Sequence, residues 1–170
     1  MIETNGVEWK NYGEKQVEIL LVEDNPNDEE LAIISLKNNN IANKIQVARD
    51  GAEALEYLFG SVDGKTLRNT HPIILLLDIK LPKIDGLEVL KRVKQHPIAK
   101  NIPVVILTSS LEEKDMIEAY RLGVNSYIRK PVDFEQFSEA VRQIGAYWLI
   151  LNEQPFQHYE SMESLQKELK

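Results

Sequence analysis

Ile73-Ile74-Leu75-Leu76-Leu77-Asp78 is the stretch from which the rest of the chain can be read. Five aliphatic residues in succession end in one carboxylate, and Ile79-Lys80-Leu81-Pro82 breaks the pattern directly afterwards. A run that short and that apolar reads as a strand buried on both faces, as at the centre of a parallel sheet. Ligands of such sheets sit beyond the carboxyl ends of the strands, so Asp78 stands where a crevice would open. Taken alone, Asp78 could equally be a polar residue that simply ends a strand.

Working outward, four more segments carry strand patterns. Val17-Glu18-Ile19-Leu20-Leu21-Val22 ends in Glu23-Asp24, and Pro103-Val104-Val105-Ile106-Leu107 is followed by Thr108-Ser109. Lys44 to Ala48 alternates polar and apolar residues, which suits a strand near a sheet edge. Asn125 to Arg129 gives a last short strand that runs into Lys130-Pro131. Helix starts lie between them. Asn25 is an N-cap with Pro26 at the first helical position and Asp28 in the first turn. Asp50 with Glu53, Asp85 with Glu88, Ser110 with Glu113 and Asp133 with Gln136 repeat the capping-box spacing. The first helix is expected to turn Leu31, Ile34 and Leu36 inward, and the third Leu87, Leu90 and Val93. Five strands alternating with five helices predict an α/β doubly wound parallel sheet with helices on both faces.

Composition narrows the function. The chain has 170 residues, 43% of them hydrophobic, enough for one domain with tails. A net charge of -7 offers no basic stripe for nucleic acid and no attraction to an anionic membrane. With no cysteine there is no disulfide, thiolate nucleophile or Cys-ligated zinc. The opening Met1 to Gly6 is polar, unlike a signal peptide, and no apolar run nears the ~20 residues of a membrane span. A cytoplasmic location is the expectation.

Glu23 and Asp24 follow the first strand, Asp78 the third, Thr108 the fourth and Lys130 the fifth. A doubly wound sheet gathers these positions at one edge. Three carboxylates in one crevice repel one another unless a cation neutralises them. Oxygen ligands without His or Cys suit Mg²⁺, which binds one or two carboxylates together with phosphate oxygens. A hydroxyl and an ammonium complete a set suited to a phosphoryl group. Asp78, on the central strand, is then the carboxylate placed to form an acyl phosphate. The histidines, His71, His96 and His158, show no ligand spacing.

These motifs, in this order, resemble the response-regulator receiver domain of two-component signalling. The resemblance spans roughly Val17 to Ile144 and rests on Glu23-Asp24, Leu-Leu-Asp78, Leu81-Pro82-Lys83-Ile84-Asp85-Gly86, Thr108-Ser109 and Tyr127-Ile-Arg-Lys130-Pro131. Thr108 follows Asp78 by 30 residues and Lys130 follows it by 52, the family's intervals. It implies a flavodoxin-like (βα)5 fold with strand order 2-1-3-4-5. It further implies phosphorylation of Asp78 by a sensor histidine kinase, with Asp24 on Mg²⁺ directly and Glu23 through water. Lys80 would offer its backbone carbonyl to the metal, although a lysine side chain there is a departure that bears on dephosphorylation. Thr108 and Tyr127 match the switch pair, Lys130 would pair with the phosphoryl oxygens, and the Lys130-Pro131 bond would be cis. The protein would be a phosphoacceptor that assists its own phosphorylation and dephosphorylation, not an enzyme.

Two other readings compete. An Asp-nucleophile phosphatase of the haloacid dehalogenase type would place a second Asp two residues on, where this chain has Lys80. A phosphorylation-independent pseudo-receiver would have lost the Asp, an acid or the Lys, and none is lost here.

Residues 1–16 read as a tail, 17–145 as the domain and 146–170 as an extension. In the last helix Phe134, Phe137, Val141, Ile144, Trp148 and Leu151 recur in alternating steps of three and four. That heptad-like stripe is the pattern of a helix contacting a second helix, and it predicts a homodimer made by the fourth and fifth helices with this overhang, through Phe137, Val141, Ile144, Trp148 and Leu151. The alternative is that the overhang folds back on its own domain. Residues 152–170 are too few for an output domain, so a separate downstream protein would read the signal. The extension and the polar loop from Gly60 to Pro72 are similar to single-domain regulators paired with cyanobacterial phytochrome kinases.

Overall fold

The computed structural model describes residues 19–38, 44–60 and 72–153. The expectations for the tail at 1–16, for residues 61–71 of the polar loop and for 154–170 lie outside the described residues. In chain order the elements are β1 (Ile19–Val22), α1 (Pro26–Asn38), β2 (Ile45–Ala48), α2 (Gly51–Phe59), β3 (Ile74–Leu77), α3 (Gly86–Gln95), β4 (Val104–Thr108), α4 (Glu113–Arg121), β5 (Ser126–Arg129) and α5 (Phe134–Ala146). A short 3-10 turn at Ala99–Asn101 precedes β4, and one π turn at Tyr147–Leu151 extends α5.

All strands pair in parallel, as the sequence pattern predicted, and in the order β2-β1-β3-β4-β5 that the family resemblance implied. Every residue of β1, β3 and β4 is buried, whereas β2 and β5 at the edges are only half-buried for most of their length. Successive strand residues point to opposite faces, and two core layers result. Leu20, Val22, Leu75, Leu77, Val104 and Ile106 face α2, α3 and α4, meeting Leu55, Leu58, Leu90 and Val93. Ile19, Leu21, Ile74, Leu76, Val105 and Leu107 face α1 and α5.

The helix starts follow local chemistry. Asn25 Oδ1 accepts from the Asn27 and Asp28 amides, Asp50 from Glu53, Asp85 from Glu88 and Asp133 from Gln136. The fourth start is a correction. α4 begins at Glu113 with no side-chain cap, because the Ser110 hydroxyl donates to Asp115 at 2.7 Å and accepts from the Glu112 amide. A second correction concerns α1, where Ile34 is exposed and Ala32, Ser35 and Leu36 turn inward. Ser35 can face the core because its hydroxyl bonds to the Leu31 carbonyl and to Ser138 on α5.

The stripe on α5 is also reassigned. Phe137 (4% exposed), Val141 (0%) and Ile144 (7%) lie against the chain's own sheet, with Trp148 packed partly onto the same layer. Phe137, Val141 and Ile144 fill the chain's own core and so cannot also supply a partner's interface, whereas Trp148 is half-buried and Leu151 exposed. The helix runs through Gly145, and only Tyr147, Ile150 and Leu151 in the π turn stay exposed as large apolar residues.

Gly86 has a specific reason to be glycine. A Cβ there would lie 2.0 Å from the Asp78 carbonyl oxygen, and the Gly86 amide donates to the Ile79 carbonyl at 2.8 Å. The start of α3 thus presses on the backbone that carries Asp78. No helix among the described residues is long and apolar enough to cross a membrane.

Candidate functional site

The parallel register sets Val22 of β1 beside Leu77 of β3, so the residues just beyond them meet. The Asp78 amide donates to the Val22 carbonyl at 3.0 Å, which fixes the height of Asp78 next to Glu23 and Asp24. Carboxylate oxygens of Glu23, Asp24 and Asp78 lie within 4.8 Å of one another. Glu23 and Asp78 are buried and Asp24 is exposed, so the group has a closed floor and an open rim.

From the other side, the Lys130 amide donates to the Thr108 carbonyl at 2.7 Å, which brings β5's end over the same crevice. Lys130 Nζ then donates to Glu23 Oε2 at 2.5 Å, Asp78 Oδ2 at 2.9 Å and Asp28 Oδ2 at 2.9 Å. Its side chain is 6% exposed. Burial pushes the Glu23 carboxyl up to about 7, despite the opposing pull of the Lys130 ammonium. Burial would lower the Lys130 ammonium, but its carboxylate partners outweigh that and hold its pKa well above the usual lysine range.

Sequence reasoning placed Glu23, Asp24, Asp78 and Lys130 here, and the structure brings all four together. It missed Asp28 as a member of the site. Asp28 was legible only as a first-turn acid of α1, and nothing in the sequence linked it to a lysine 102 residues away.

Thr108 ends β4 and is fully buried, with Oγ1 accepting from the Ser110 amide at 3.2 Å. Tyr127, paired with Ile106 across the β4–β5 ladder, packs against the core. Its hydroxyl is buried and, among the described residues, has no hydrogen-bond partner. Burial raises its pKa, and the Asp115 carboxylate adds to the rise. The Lys80 side chain serves a neighbouring cluster, pairing with Asp115 at 3.1 Å and Glu112 at 3.5 Å. The Asp115 bond raises the Lys80 ammonium above its ordinary value. The Lys130-Pro131 bond departs from the family expectation. Among the described residues no peptide bond is cis, and trans is the form that X-Pro bonds favour by about 0.5–1 kcal/mol.

The donor set fits a hard divalent cation. It offers carboxylate oxygens alone, two of them buried where like charge is costly without a counter-ion. A phosphoryl group beside Asp78 would meet that cation, the Lys130 ammonium and the Thr108 end of β4.

Residues 19–142 match the response regulator receiver domain, and the chain belongs to that family. It is 41% identical over 138 residues to a probable methanogenesis regulatory protein, FilR2, of Methanothrix harundinacea, covering 81% of this chain and 86% of that protein. It is 40% identical over 131 residues to the response regulator Rcp1 of Synechocystis, covering 77% of this chain and 88% of the relative. The crystal structure of the phosphorylated cyanobacterial phytochrome response regulator RcpA superimposes with a TM-score of 0.75 at 38% identity, covering 83% of this chain and 99% of that one.

Proposed function

We propose that Asp78 accepts a phosphoryl group from the phosphohistidine of a sensor kinase, and that the added charge alters the chain's contacts with other proteins. One observation carries this reading. The buried Asp78 carboxylate shares Lys130 with an acid group that fits a divalent cation. A new bond forms from an Asp78 oxygen to phosphorus as the phosphorus–nitrogen bond of the donor breaks, and the electron pair leaves on the imidazole. Mg²⁺ bound by Glu23, Asp24 and Asp78 would neutralise charge on the phosphoryl oxygens. Lys130 holds the remaining oxygens by charge, and the Thr108 hydroxyl, which accepts from the Ser110 amide, still has its O–H to donate to a phosphoryl oxygen. The chain takes up one phosphoryl group and is a phosphoacceptor, not an enzyme acting on a separate substrate.

Similarity to RcpA supports a phytochrome as the kinase, and to that extent links the chain to light signalling. A homodimer would have to form through surface residues. With Phe137, Val141 and Ile144 in the core, exposed apolar residues that could support one include Phe134, Tyr147, Ile150 and Leu151 on α5 and its extension, and Ile117 and Tyr120 on α4.

The test is intact-protein mass after incubation with Mg²⁺ and a small phosphodonor, wild type beside Asp78→Asn. One phosphoryl adduct is expected on wild type, none on Asp78→Asn and none when a chelator replaces Mg²⁺. Unmodified wild type would favour the phosphorylation-independent module, and repeated turnover of the donor would favour the phosphatase.

A further inference from the structure

An ammonium has three N–H donors, and Lys130 gives one each to Glu23, Asp78 and Asp28. Two of these acceptors belong to the group that fits a divalent cation; Asp28 does not. Once a cation draws on Glu23 and Asp78, Asp28 is the acceptor left to Lys130 alone. Asp28 is itself well anchored. Its amide donates to the Asn25 side chain at 3.2 Å, in the first turn of a helix packed on the sheet. It also stands at the edge of a groove of about 530 Å³ that runs between α1 and the start of α5, with Lys130 and Pro131 in the same wall.

We infer that Asp28 is a positioning residue for phosphoryl transfer, holding the Lys130 ammonium from the α1 side. Lys130 then meets the phosphoryl group by exchanging its bond to Asp78 while its bond to Asp28 persists. The inference rests on the reading of Asp78 as phosphoacceptor. An ordinary first-turn acid would act instead on the helix N-terminus, and that effect would not depend on Lys130.

A double-mutant cycle separates the two roles. Phosphorylation of the full chain by acetyl phosphate with Mg²⁺ is timed for wild type, Asp28→Asn, Asp28→Glu, Lys130→Met and Asp28→Asn with Lys130→Met. Asp28→Asn is expected to slow the reaction by about tenfold or more, the size of a lost charge-assisted hydrogen bond. Asp28→Glu should recover part of the rate, and the double variant should be no slower than Lys130→Met alone. A wild-type rate in Asp28→Asn, or the same fold loss with and without Lys130, would overturn the inference. The second measurement needs neither metal nor phosphorylation. In the metal-free protein the Lys130 ammonium should give a slowly exchanging ¹H–¹⁵N cross-peak that Asp28→Asn loses. If wild type takes up no phosphoryl group, the reading of Asp78 fails, and this cross-peak still decides whether Asp28 holds the Lys130 ammonium. A cross-peak unchanged by Asp28→Asn sinks it.

Discussion

On one side of the strand-end crevice Lys130 gives all three of its N–H bonds to carboxylates; on the other, the Tyr127 hydroxyl is buried with no partner. The first side is saturated. Its groups are held by one shared ammonium, and removing Lys130 leaves Glu23 and Asp78 buried and uncompensated. The second side holds slack. An unmet hydroxyl costs free energy where it lies, so a rearrangement that gave it a partner would be favoured. The charged side is suited to holding a fixed geometry for chemistry, and the Tyr127 side to moving in response.

Lys130→Met removes the cation that the buried acids share. It should destabilise the metal-free protein by about 3–5 kcal/mol at pH 8, since it strands Glu23 and Asp78, and by less at pH 5, where Glu23 takes up a proton. Urea unfolding at the two pH values checks it, and equal losses would mean that the charges are not the cause.

The next largest effect is the pH dependence of wild type. The Glu23 carboxyl is raised in the folded state from 4.5 to about 7, so folding favours its protonated form. Its contribution is therefore fully present below pH 4.5 and is lost as pH rises through 7. The slope should amount to at most about 3 kcal/mol without metal. Saturating Mg²⁺, by stabilising the ionised carboxylates, should flatten it. Denaturant titrations from pH 5 to 8, with and without Mg²⁺, measure both, and a stability that climbed over that range would contradict the buried-acid account.

The smallest effect belongs to the slack side. Tyr127→Phe removes a hydroxyl that has no partner and should leave stability unchanged or raise it by about 1 kcal/mol, read as a higher melting temperature. A loss of stability would show that the hydroxyl is bonded after all. The two sides would then be alike.

Much of the architecture was legible because its signals are local. Apolar runs at 73–77 and 103–107 and the cap residues Asn25, Asp50, Asp85 and Asp133 act within a few residues of themselves. Ser110 misled for the same reason. Its spacing to Glu113 is that of a cap, but Asp115 offered its hydroxyl a better acceptor.

By itself the sequence determined that five strands alternate with five helices, and hence that Glu23, Asp24, Asp78, Thr108 and Lys130 share one edge. Side-chain alternation and topology leave few other arrangements. Tertiary structure alone decided which partner each buried face meets. The periodicity of α5 marks Phe137, Val141 and Ile144 as covered without saying by what, and the chain's own sheet covers them. It also decided that Asp28 faces Lys130 and that the Tyr127 hydroxyl faces none. Both depend on distances between residues far apart in the chain, which no local pattern encodes.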